Sequence, residues 1–143
     1  MTTIWTVVAD GSRARVFQSN GRSRDFEEIQ DLLNPLGRAR DSQLRTDAQG
    51  RFAGKGEPSH SMSPRTDPAA KEHELFARWL GRFLDEARMA RRFDKLRLAA
   101  APRFLGRLRV HLGKQVRGMV MEEIPGGLCK LAAPEVRSRL ARR

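Results

Sequence analysis

Five basic side chains recur along one stretch of the sequence: Arg103, Arg107, His111, Lys114 and Arg117. At 100° per residue, a helix over Pro102–Val116 puts the first four on one arc, with Arg117 beside them. Phe104, Leu105, Leu108, Leu112 and Val116 fall on the opposite arc. No Asp or Glu lies within Pro102–Arg117. Cations one helical turn apart, about 6 Å, on a rigid rod can meet successive phosphates. A merely solvated helix face carries many charges too, but the complete lack of acids argues for a polyanion-binding face.

A second candidate lies at Gly50–Glu57, where Arg51, Gly54, Lys55 and Gly56 alternate cation with glycine. Such spacing lets backbone amides approach an anion closely. It is no P-loop, because the Lys-Ser/Thr pair is missing. Other chemistry-bearing residues read as structural. Ser59-His60-Ser61 are sequence neighbours in a loop and hold no catalytic geometry. Asp10 in Asp10-Gly11-Ser12 reads as a turn residue that bonds nearby amides. His73 reads as a packed histidine, and Cys129 as a half-buried inert thiol. Three histidines and one cysteine make no metal pattern, so neither a metal nor a cofactor is expected.

These residues need elements to hold them. Thr3–Ala9 predicts a strand buried on both faces, through Ile4, Trp5, Val7 and Val8. Ala14–Gln18 and Phe26–Leu33 predict two more strands, with Asn20-Gly21 as a hairpin turn between them. Asn34–Arg65 is a 32-residue polar stretch with six basic and three acidic residues. Pro68–Ala90 predicts a long amphipathic helix, with Thr66 or Asp67 as its cap and Trp79 on its apolar arc. Strands over Phe93–Ala100 and Gly118–Glu123 flank the helix Pro102–Val116, and Pro134 opens a last short helix. The order β-β-β-loop-α-β-α-β-α predicts an α/β fold with one mixed sheet, as in the ribonuclease-H-like architecture.

Composition sets the frame. At 143 residues a single domain over 1–143 is expected. Lys and Arg number 28 against 17 Asp and Glu, a formal net charge of +11. Residues 1–66 carry only +2 of it and residues 67–143 carry +9, so the surplus is segregated. No run of about 18 apolar residues exists. Met1–Asp10 lacks a basic lead and a cleavage signal, and one cysteine allows no internal disulfide. A cytoplasmic protein is therefore expected.

Several segments together resemble the bacterial host attachment protein family. They include Trp5–Asp10 with Arg13–Phe17, Leu32-Leu33-Asn34-Pro35, Thr66-Asp67-Pro68, and Ala101-Pro102-Arg103-Phe104-Leu105-Gly106. The resemblance covers nearly the whole chain. That family in turn resembles the central domain of the archaeal and eukaryotic peptide-release factors. The resemblance implies a ribonuclease-H-like fold and contact with ribosomes or RNA. The release-factor Gly-Gly-Gln tripeptide is missing; the matching loop offers Gly54-Lys55-Gly56-Glu57. A non-catalytic RNA- or ribosome-binding domain is therefore expected. The alternatives are a hydrolase or nuclease, which needs a carboxylate cluster, and an adhesion factor for host surfaces, which needs export.

Overall fold

A computed structural model describes residues 2–20, 26–34 and 68–141. At its centre lies β1 (Ile4–Ala9), whose six residues are all buried. It pairs antiparallel with β2 (Arg13–Ser19) on one side and parallel with β4 (Lys95–Ala100) on the other. β3 (Glu27–Leu33) runs antiparallel to β2, and β5 (Val120–Pro125) parallel to β4. The five-stranded sheet thus has the order β3-β2-β1-β4-β5, with β2 reversed against the other four. Four helices occur among the described residues. They are α1 (Pro68–Met89), α2 (Pro102–His111), α3 (Lys114–Met119) and α4 (Ala133–Ala141).

Side-chain alternation along β1 feeds two cores. Trp5, Val7 and Ala9 face α1, α2 and α3, where Phe76, Leu80, Leu84, Leu105, Leu108 and Val116 meet them. Val8, with Phe17, Ala99 and Ile124, faces the C-terminal segment through Leu128, Cys129 and Val136. The strand expected to be buried on both faces is so buried.

Arg15 fastens the second layer. Its side chain is 5% exposed and reaches Glu28 of β3 through Nε and Nη2, at 3.0 and 2.8 Å. Its Nη1 donates to the carbonyls of Cys129 and Leu131, at 3.0 and 2.5 Å. One guanidinium therefore joins two strands to the segment leading into α4. Cys129 lies against the same corner, its thiol within reach of the Val8 and Arg13 carbonyls. Burial pushes that thiol up to about 12, and it stays protonated and inert.

Three sequence expectations need correction. The helix expected over Pro102–Val116 is broken: Leu112 turns extended, at φ −83° and ψ 132°, and Gly113 caps a separate α3. Glycine is a poor helix-interior residue, costing roughly 1 kcal/mol against alanine, and the break keeps both Leu112 and Val116 buried. The last strand starts at Val120, because Gly118 and Met119 complete α3. Trp79, placed on the apolar arc, is 44% exposed. The Asn20-Gly21 turn, the Thr66/Asp67 cap and the long basic stretch lie wholly or partly outside the described residues.

α1 closes with a left-handed residue, Arg91 at φ 57°. Its N–H bonds the Arg88 carbonyl, and that of Arg92 bonds the Ala87 carbonyl. This is the closure glycine usually provides. Arg91→Gly is expected to raise stability by roughly 0.5–1 kcal/mol, read as a higher urea midpoint. Arg15→Met is expected to cost on the order of 3 kcal/mol, since it leaves Glu28 and two carbonyls without their partner. The same denaturation series checks both.

Candidate polyanion-binding surface

α2 carries Arg103, Arg107 and His111 four residues apart, as expected, but their surroundings differ. Arg103 is exposed and has no acidic partner among the described residues. Arg107 and His111 both converge on Glu74 of α1. Arg107 Nη1 lies 3.5 Å from one carboxylate oxygen, and His111 Nε2 bonds the other. The stripe is free of acids along its own helix, yet a neighbouring helix supplies one. Lys114 and Arg117 are exposed on α3, beyond the break, and so do not continue the α2 stripe.

Gly81 permits this pairing. A Cβ there would sit 2.5 Å from the carbonyl oxygen of His111, so only glycine lets the end of α2 approach α1 so closely. Glu74 lies two helical turns before Gly81, on the same side of α1. A mid-helix glycine was the one sequence signal for the crossing, and with it for the acid.

Beside these residues, Arg109 is bound through two nitrogens to Glu123 of β5, at 3.3 and 2.5 Å. Arg97 similarly meets Glu122, at 3.3 Å. Between α2, α3 and β5 lies an open depression of about 380 Å³, lined by Arg109, Arg117, Met121, Glu122 and Glu123 among others. Arg117 shares that lining with Glu122 and Glu123, which are paired to Arg97 and Arg109, so the depression itself is not a uniformly positive cup. Arg51, Gly54, Lys55 and Gly56 lie outside the described residues.

At the far end of the sheet, Asp10 behaves as a turn residue. Its Oδ1 accepts from the N–H groups of Ser12 and Arg13, at 2.8 and 2.9 Å. Buried Asn34 donates from Nδ2 to the Gly11 carbonyl at 3.0 Å. His73 packs its ring on Gly11, where a Cβ would collide with it. These contacts tie the ends of β1 and β3 to the start of α1. Among the described residues, no three His, Cys, Asp or Glu side chains gather in a way that could hold a metal ion. Nor is any described helix long and apolar enough to cross a membrane.

The hydrogen bond from His111 holds the Glu74 carboxyl below its ordinary value of 4.5; partial burial opposes this and Arg107 adds to it. A depressed carboxyl contributes stability above pH 4.5 and loses it as pH falls through the lowered value. Glu74 is 43% exposed, so solvent limits the contribution to under about 1 kcal/mol. Melting of wild type and Glu74→Gln is expected to differ slightly above pH 4.5 and to converge in more acid solution.

Two crystal structures of an Aquifex aeolicus Ppx/GppA phosphatase family member, one of them a type II variant, are similar to the chain over 87% of its length. Identity is 12% and the TM-score 0.39, and the chain spans only about a third of those proteins, 36% and 35%. A likeness at that level carries no functional argument. No curated protein matches the chain. A family model described as "Protein required for attachment to host cells" matches residues 5–140, nearly the full length, and the chain belongs to that family.

Proposed function

We propose that this protein is a non-catalytic, cytoplasmic domain that binds RNA, with the ribosome as the setting. The observation that carries the reading is the set of exposed cations on α2 and α3. Arg103, Lys114 and Arg117 face solvent with no acidic partner among the described residues. Unneutralised cations on short rigid elements suit a phosphate backbone, and each contact made releases counterions. Arg107 and His111 join them when a phosphate competes with Glu74. Arg51 and Lys55, with Gly54 and Gly56 between and beside them, supply a second contact in this reading.

The fold supports it. The 3-2-1-4-5 sheet with only β2 reversed supports a ribonuclease-H-like reading, and with it a likeness to the release-factor central domain. One domain over 1–143 fits that architecture. Ester hydrolysis is not assigned, since the chain has no Gly-Gly-Gln tripeptide. Attachment to host cells is then a consequence of an RNA-directed role rather than of direct contact with a surface.

The test is co-sedimentation with bacterial ribosomes and, in parallel, binding to ribosomal RNA fragments over a salt series. Wild type is expected in the ribosomal fraction at low salt and released at high salt. Arg103→Glu with Arg117→Glu should weaken RNA binding roughly tenfold or more. It should also flatten the slope of log K against log salt by about 0.7 per lost contact. Absence from ribosomal fractions at every salt, with no binding to RNA, would sink the reading.

A further inference from the structure

An aromatic row runs along α1, its first ring, Phe76, also lying against Phe104 of α2. Phe76, Trp79 and Phe83 stack in sequence, with ring centroids 5.9 and 5.7 Å apart and planes within 8° and 16°. Phe83 then stacks on Trp5, at 6.2 Å, and Arg92 lies over the Trp5 ring with its Cζ 4.9 Å from the centroid. Trp5 is buried, but Trp79 is 44% exposed. Its indole is held in place by rings on both sides while much of it faces water. Leu33, Met89, Val110 and Met121 are exposed as well, but among these Trp79 alone is aromatic and held between two rings.

Cations line the row. Arg78 and Arg82 are exposed on α1, one on either side of Trp79 in sequence, with Arg82 one turn beyond it. Arg91 and Arg92 follow just past the end of the helix. None of the four is bound to an acid among the described residues. Of the nearby acids, Asp85 is bound to Arg88 at 3.0 Å, while Asp94 accepts from the Thr3 N–H at 2.8 Å and keeps its charge. Glu86, one turn past Arg82, is exposed and forms no ion pair among the described residues.

Resting on the RNA-binding reading above, we infer that Trp79 is a stacking platform for unpaired RNA bases, with Arg78, Arg82, Arg91 and Arg92 gripping the strand's phosphates. Bases inside a duplex are stacked on one another and cannot reach an indole, so the surface selects single strands, loops or bulges. A second copy of this chain would bring like charge to the strip, which disfavours self-association there.

The test is titration of the full chain with a single-stranded oligouridylate and with a duplex RNA of equal length, read by anisotropy and by tryptophan fluorescence. Wild type is expected to bind the single strand more tightly, with quenching of the Trp79 emission. Trp79→Ala should weaken single-strand binding roughly fivefold or more, with duplex binding changed less than about twofold. Trp79→Phe should restore most of the loss. Arg78→Glu with Arg82→Glu, both at exposed positions, should weaken binding even if Trp79→Ala folds poorly. Circular dichroism checks the fold of each variant. Unchanged single-strand affinity in Trp79→Ala, while Arg103→Glu with Arg117→Glu loses RNA, would overturn this inference and leave the RNA reading standing. No RNA binding by wild type would overturn both. A dimer that Trp79→Ala abolishes would reassign the strip to a second copy and overturn the inference.

Discussion

The guanidinium of Arg15 is the contact on which the two-layered arrangement depends. Its charge is buried, so it must be met on every side. Glu28 meets it from β3, and two backbone carbonyls meet it from the segment before α4. The sheet edge and the C-terminal layer are thereby fixed to the same point. Cys129 and Leu128 can then close the second core over Val8, Phe17 and Ala99. With that face covered, the opposite face is left to α1, α2 and α3, which carry the cations of functional interest.

A chain with so many more cations than acids cannot neutralise itself. Apart from Asp85 with Arg88 inside α1, the acids that form ion pairs among the described residues do so at junctions between elements: Asp31 with Arg13, Glu28 with Arg15, Glu122 with Arg97, Glu123 with Arg109. Glu74 with Arg107 and His111 joins α1 to α2 in the same way. Exposed cations away from those junctions keep their charge uncompensated. Many of them fall on two surfaces, α2 with α3 and the strip of α1 that carries Trp79, while Lys71, Lys130 and Arg139 lie elsewhere. The acids hold the fold together, and the unmatched cations face the solvent and any polyanion in it.

How much of this was legible depended on whether the signal was local. β1 could be read because six consecutive residues of strand-forming type sit between a turn and a polar start. Asp10 as a turn residue was legible for the same reason: its partners are two and three residues away. Glu74 as the partner of Arg107 and His111 was not, because the contact joins residues more than thirty positions apart across a helix crossing. The break at Leu112-Gly113 was hidden by the apolar spacing, which fits one long helix as well as two short ones. Trp79 fits the apolar arc by periodicity, and only the packing shows that the arc is wider than the surface covering it. The Arg91 turn was unreadable because arginine gives no signal for a left-handed residue.

The central claim is that the unpaired cations meet RNA inside the cell. Photo-cross-linking of protein to RNA in living cells, followed by mass spectrometry of the nucleotide-bearing peptides, tests it most directly. Cross-links are expected on peptides spanning 78–95 and 102–117, and they should vanish when the lysate is treated with ribonuclease before capture of the complexes. Recovery of the protein with no nucleotide adduct on either segment, or with adducts confined to α4, would contradict it.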